Sequence, residues 1–252
     1  MSYFIYQNQK IYYKITGSPN GKPLIMLHGD TASSVMFELL LPLYQENFQI
    51  ILMDFLGNGR SDRVEKFPED LWIAQSRQVI ALIEYLEIGK CSLLGTSGGA
   101  WTALNAALLR PDLMDKVVAD SFDGRSLHKN FAIQLLRERE FAKQDLHARQ
   151  FYEWCQGEDW EHVVDLNTRA LTKCAEEEFP LFCRPLESLS VPVLFTGTLK
   201  DNMCRQNLEE EYEEMKHLVP NGTIHFFPSG GHPAILTNAE AFARVVTEFL
   251  SG

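Results

Sequence analysis

Cysteine is scarce and unpatterned in this chain: five residues, at 91, 155, 174, 183 and 204, with no C-x-x-C spacing. An odd count without that spacing excludes a zinc ribbon and a disulfide framework, and reads as reduced thiols in a cytosolic protein. Basic charge is also short. Against 34 Asp and Glu stand only 23 Lys and Arg, a net charge of −11, the wrong sign for a nucleic-acid footprint. Long apolar runs are missing too, since Leu24–Leu27 and Ile50–Met53 have strand length, far below a membrane span. The first ten residues lack the basic start and apolar stretch of a secretory signal. The expected setting is therefore the cytoplasm, with neither nucleic acid nor membrane as partner. Repeats and low-complexity tracts are absent as well. What is present is an ordinary globular composition, 45% hydrophobic and 23% charged over 252 residues, enough for a deep core.

Two β-rich runs, 2–7 and 10–16, flank Asn8-Gln9 and suggest an opening hairpin. From Pro23 onward, short apolar runs alternate with helical patterns. The runs are Leu24–Leu27, Gln49–Met53, Cys91–Leu94, Lys116–Ala119, Val193–Thr196 and Thr223–Phe227. Apolar residues on consecutive positions suit parallel strands buried on both faces. Val79, Leu82, Ile83 and Leu86 follow the spacing of a core-facing helix, and Phe242, Val245, Val246 and Phe249 repeat it. Residues 121–188 break the alternation, because they hold no convincing strand and read as helices, one long pattern over 131–157 and a second over 158–179. An insertion at one sheet junction is expected to form a helical cap, with its aromatics covering either each other or a pocket.

The sharpest chemical signal is Gly95-Thr96-Ser97-Gly98-Gly99, a G-x-S-x-G motif between an apolar run and a small-residue helix. A turn that tight would lift the Ser97 hydroxyl above the sheet edge, and the helix N-terminus beneath it favours developing negative charge. The competing reading is a glycine-rich turn with a passive serine. A serine hydroxyl needs a base, and the base an orienting carboxylate. Of seven histidines, His232 lies in the loop Ser229-Gly230-Gly231-His232-Pro233 between the last strand and last helix. Asp201 follows the run Val193–Thr196 and gives the order Ser97, Asp201, His232. Asp120 and Asp123, after the preceding strand, remain rivals for the acid.

With these residues in place, the chain resembles the α/β-hydrolase superfamily over nearly its whole length, in which the nucleophile, acid and histidine come in this order. The loop Asp54-Phe55-Leu56-Gly57-Asn58-Gly59-Arg60-Ser61 is similar to the family's D-x-x-G-x-G-x-S loop after the fourth strand. The resemblance implies that His28 shapes an oxyanion loop and that the backbone N–H groups of Asp30 and Gly98 are the oxyanion donors. Serine at the elbow departs from haloalkane dehalogenases and epoxide hydrolases, which use aspartate there. His28-Gly29-Asp30-Thr31-Ala32 departs from the HGGPG of prolyl aminopeptidases. Carbon–carbon hydrolases and a menaquinone-pathway lyase share the Ser–Asp–His pattern.

The expected fold is thus α/β, a mostly parallel α/β-hydrolase sheet with an N-terminal β-hairpin. Its core is 1–120 and 189–252, and 121–188 is an inserted helical cap. The expected activity is serine hydrolysis of a small ester, thioester or related carbonyl substrate through an acyl-enzyme. Neither metal nor cofactor is implied. A carbon–carbon hydrolase or proton-transfer lyase is the alternative, and a silent small-ligand binder a third. Asp30 carries two further expectations: its carboxylate faces the acyl pocket and repels anionic substrates, or it caps a helix over Thr31–Leu41 and points away.

Overall fold

The computed structural model describes residues 2–252. Strands β1 (Ser2–Tyr6) and β2 (Gln9–Gly17) form the expected antiparallel hairpin, with Phe4 opposite Ile11. Gln7 and Asn8 turn it with φ of 49° and 66°, the left-handed pair of a two-residue hairpin loop. Six more strands follow: β3 (Lys22–Leu27), β4 (Phe48–Met53), β5 (Cys91–Thr96), β6 (Met114–Asp120), β7 (Val193–Thr198) and β8 (Gly222–Phe227). All eight join one sheet in the order β1-β2-β4-β3-β5-β6-β7-β8, with β3 to β8 parallel.

The α-helices are α1 (Leu71–Leu86), α2 (Gly98–Leu109), α3 (Phe131–Gln144), α4 (Leu146–Gln156), α5 (Trp160–Glu176), α6 (Leu208–Leu218), α7 (Ala234–Thr237) and α8 (Ala239–Ser251). Consecutive apolar strand positions bury on opposite faces. Ile25, Leu27, Ile51, Leu93 and Val117 pack with α1 and α2, while Leu24, Met26, Ile50, Leu94 and Val118 pack with α8. The small residues Ala100, Ala103 and Ala107 of α2 have no exposed surface, so this helix lies close on the sheet. Strand order reverses between β3 and its neighbours β4 and β5, and clefts for ligands form at the carboxyl ends of strands at such a point.

Two local expectations change. The helix expected over Thr31–Leu41 is a 3₁₀ segment, Ser34–Leu43, that contains Pro42. Thr31 has φ of 59° and the Ala32 N–H turns back to the Gly29 carbonyl, so the chain enters helical geometry only three residues later. The long helical pattern over 131–157 is two helices. Asp145 is extended at φ −80°, ψ 127°, and its carboxylate accepts from the Ala148 N–H at 2.9 Å, an N-cap that starts α4 afresh. Among the described residues, no helix is long and apolar enough to cross a membrane.

Candidate active site

β5 ends at Thr96 and α2 begins at Gly98, which leaves Ser97 alone to reverse the chain. It does so at φ 54°, ψ −126°, a strained conformation for any residue with a Cβ. The surrounding glycines are steric necessities. A Cβ on Gly95 would collide with the Gly99 carbonyl, and one on Gly99 with the carbonyls of Leu27 and His28. The Ser97 N–H is tied to the Asp120 carbonyl at 2.8 Å, which fixes the elbow to the end of β6.

The hydroxyl of Ser97 donates to His232 Nε2 at 3.0 Å, and His232 Nδ1–H donates to Asp201 Oδ2 at 2.8 Å. Three loops at the same sheet edge supply this chain of bonds: after β5, after β7 and after β8. The other Asp201 oxygen accepts the N–H groups of Met203 (2.9 Å) and Cys204 (3.3 Å). Burial would raise the Asp201 carboxyl, but its bond to His232 and these backbone donors hold it below the usual carboxylate range. Burial disfavours the imidazolium of His232; Asp201, with Asp120 and Glu138 beyond, outweighs that and raises its pKa. Cys204 Sγ lies 3.9 Å from His232 Nδ1. Asp201, Cys204 and His232 thus gather three metal-ligand types, yet the His232 and Asp201 atoms already bond each other.

Both rival carboxylates are engaged elsewhere. Asp120 is buried, accepts Thr96 and Thr196 hydroxyls at 2.9 Å each and the Ile235 N–H at 3.2 Å, and burial pushes it up to about 6. Asp123 accepts the N–H groups of His128 (2.9 Å) and Arg205 (2.7 Å) and the His128 ring at 2.5 Å.

The loop after β3 packs directly on the elbow, where a Cβ on Gly29 would come within 2.9 Å of the Ser97 Cβ. His28 braces it. Its Nδ1–H donates to the Gly29 carbonyl at 2.8 Å and its Nε2 accepts the Phe55 N–H at 3.2 Å, while burial lowers its pKa and keeps it neutral. Gly98 opens α2, so its N–H has no acceptor within the helix; the Asp30 N–H has none among the described residues. The Asp54 loop serves geometry: Asp54 accepts the Ser34 (2.7 Å) and Arg60 (2.8 Å) N–H groups, and Gly59, at φ 53°, leaves room for that carboxylate.

The side chain of Asp30 does not cap the 3₁₀ segment, whose first N–H goes to Asp54. It accepts from Trp72 Nε1 at 3.3 Å and Asn167 Nδ2 at 3.4 Å, and burial raises its pKa. It also fills the space beside Gly98, where any Cβ would strike the Asp30 carboxyl.

A cavity of about 720 Å³ opens over Ser97 and His232, with Asp30 on its wall. The inserted helices supply much of the opposite wall, including Leu135, Phe141, Phe151 and Leu171. The aromatics of the insertion divide their tasks. Tyr152 stacks on Trp160 at 5.5 Å, Phe131, Phe141 and Phe151 face the cavity, and Phe179 and Phe182 pack on the main core. Arg139, only 7% exposed, also lines the cavity. Sequence reasoning missed it, since Arg137-Glu138-Arg139-Glu140 reads as a solvated charge run.

Comparison with known proteins bears on the fold and the family. Over 92% of its length, the chain is 22% identical to a 2-hydroxy-6-oxo-6-(2'-aminophenyl)hexa-2,4-dienoic acid hydrolase of Metapseudomonas resinovorans, 84% of which is matched. A meta-cleavage product hydrolase of Pseudomonas fluorescens superposes with a TM-score of 0.78 at 19% identity, covering 100% of this chain and 97% of that one. An esterase of Exiguobacterium antarcticum gives 0.76 at 21%, covering 97% and 96%. At such identities these structures speak for the fold alone. The family model described as "Alpha/beta hydrolase family" matches residues 24–245, and with the sheet and the elbow in view this chain belongs to that family.

Proposed function

We propose that the protein is a serine hydrolase of a small ester, thioester or related carbonyl compound, acting through an acyl-enzyme. The observation that carries this reading is the continuous bond path from Ser97 to His232 to Asp201. In the proposed reaction Ser97 Oγ attacks the carbonyl carbon while His232 Nε2 takes its proton. That proton then passes to the leaving group. Asp201 holds the tautomer with hydrogen on Nδ1 and stabilises the imidazolium. The N–H groups of Gly98 and Asp30 receive the oxyanion, and the segment 121–188 acts as a cap that limits water. Water activated by His232 then releases the acyl group.

A second reading, hydrolysis of a carbon–carbon bond on the same three residues, is supported by the name of the Metapseudomonas resinovorans relative, a dienoic acid hydrolase matched over 84% of its length. A fluorophosphonate probe with peptide mapping tests the nucleophile: label on Ser97 alone, with p-nitrophenyl ester turnover lost in Ser97→Ala, is the expected result. Label on another serine overturns the assignment. Probe labelling without turnover of any ester favours the carbon–carbon reading.

A further inference from the structure

Arg139 projects from α3 into the wall of the cavity that holds Ser97. Its Nη1 is fully used: it donates to the Tyr152 hydroxyl at 2.5 Å and to Glu138 at 3.3 Å. Its Nε is buried and has no partner, and both of its hydrogen bonds to the protein leave from Nη1, so Nη2 is not engaged by them. A buried N–H of a charged group left unpaired is costly, and native interiors avoid it unless something else completes it. The side chain is also held still. Its guanidinium lies over the Tyr152 ring at 5.8 Å, and Tyr152 in turn stacks on Trp160 at an interplanar angle of 16°. Nη2 is the end of the guanidinium left without a protein partner, and its charged N–H groups are donors suited to a carboxylate oxygen.

Resting on the serine hydrolase reading, the geometry points to Arg139 as a specificity-determining residue that binds a carboxylate at the far end of the substrate's acyl chain. Ser97 attacks the scissile carbonyl at the sheet edge and Arg139 holds the second carboxyl from the inserted helices. Phe141, Phe151 and Leu135 line the cavity and suit an apolar chain between the two groups. The substrate class is then the monoester or monothioester of a dicarboxylic acid. The repulsion expected from Asp30 leaves out Arg139, a buried cation on the same cavity. Asp30 is engaged by Trp72 and Asn167, whereas the bonds of Arg139 to Tyr152 and Glu138 use Nη1 alone.

The test uses the p-nitrophenyl monoesters of adipic and suberic acid beside their methyl-capped diesters, corrected for spontaneous hydrolysis. Wild type is expected to show the lower KM for the free carboxylates. In Arg139→Met that KM rises roughly 10- to 100-fold, the usual size of a charge-assisted bond, with kcat and the KM of the capped esters little changed. Arg139→Lys, which keeps the charge but loses the reach and fixed donors of the guanidinium, recovers only part. A wild type indifferent to the free carboxylate, or equal KM changes for both esters, overturns the proposal. Labelling of Ser97 by the fluorophosphonate at the wild-type rate shows that a variant's site is folded. Calorimetric binding of the adipate monoester to Ser97→Ala, with and without Arg139→Met, reads the subsite without turnover. If no ester is turned over yet the monoester binds through Arg139, the reaction class is wrong and the subsite stands.

Discussion

Arg63, in the loop before α1, grips Asp159 at the start of α5 through two bonds of 2.7 Å, Nε to Oδ2 and Nη2 to Oδ1. The same guanidinium donates to the Gln156 carbonyl at 2.5 Å and the Gly59 carbonyl at 2.9 Å. One residue therefore clamps the α4–α5 junction to the loop beneath it. Gln156 adds a second tie, accepting the Gly59 N–H at 2.7 Å and donating to the Ala32 carbonyl at 2.8 Å.

Arg63→Ala should loosen the insertion more than it unfolds the protein. The ion pair is part-exposed, 32% and 46% for the two side chains, so its own contribution to global stability is about 1 kcal/mol or less. Local opening is where the loss shows. Limited proteolysis should cut first within 121–188 in wild type, faster in Arg63→Ala, and more slowly in either protein once a covalent inhibitor is on Ser97. An insertion cut at the same rate with and without inhibitor would be a structural appendage, not a cover.

Asp201→Asn should lower kcat by several orders of magnitude, on the order of 10⁴ in the best-studied triad, because Asp201 is the carboxylate that bonds His232 Nδ1. Asp123→Asn should cost far less, since that carboxylate organises His128 and Arg205. Steady-state kinetics of the two variants separate the roles. A crippled Asp123→Asn beside an active Asp201→Asn would move the acid to the loop after β6.

How far these assignments were legible in the sequence differs by residue. The strands were visible because parallel strands buried on both faces must be apolar at every position, as Leu24 to Leu27 are. Ser97 was visible because the elbow needs glycine on both sides of one serine, and Asp201 and His232 followed from chain order. Asp30 stayed ambiguous: aspartate is equally at home capping a helix or facing a pocket, and only the delayed start of the 3₁₀ segment decides. Arg139 was illegible. Four alternating charges at 137–140 look alike in sequence, and the one turned inward is chosen by Tyr152, thirteen residues on in another helix.

The pH profile of kcat/KM should place the rising limb above 6.5. His232 must be neutral to accept the Ser97 proton, so activity grows as the imidazolium loses its own. Neighbouring carboxylates raise the His232 pKa from 6.5, and a raised pKa requires a higher pH for the same neutral fraction. Asp120→Asn removes one of those charges without touching the His232–Asp201 bond, so its limb should move toward lower pH. A wild-type limb at or below 6.5, or a limb that Asp120→Asn moves upward, would contradict the field inferred for the site.

Gly98 and Asp30 should prove coupled. A methyl group at 98 would meet the Asp30 carboxyl and lie 2.6 Å from Trp72 Nε1, two groups that also hold each other at 3.3 Å. Although a carboxyl end can ordinarily swing aside, this one is half-buried and held by Asn167 as well. The backbone of α2 is left to yield, at a typical overpacking cost of about 1–3 kcal/mol. That movement would displace the Gly98 N–H, so Gly98→Ala should lower both Tm and kcat/KM. Asp30→Ser shortens the obstructing side chain and frees the indole to shift. In that background the alanine should cost less, with an interaction energy of about 1 kcal/mol or more between contacting positions. Asp30→Asn keeps the shape of the carboxyl and should leave the cost of Gly98→Ala unchanged. Thermal denaturation of the single and double variants measures the cycle. Strict additivity of Gly98→Ala and Asp30→Ser would mean that the elbow accommodates a side chain after Ser97 without help from Asp30, and that the glycine there answers to something other than this contact.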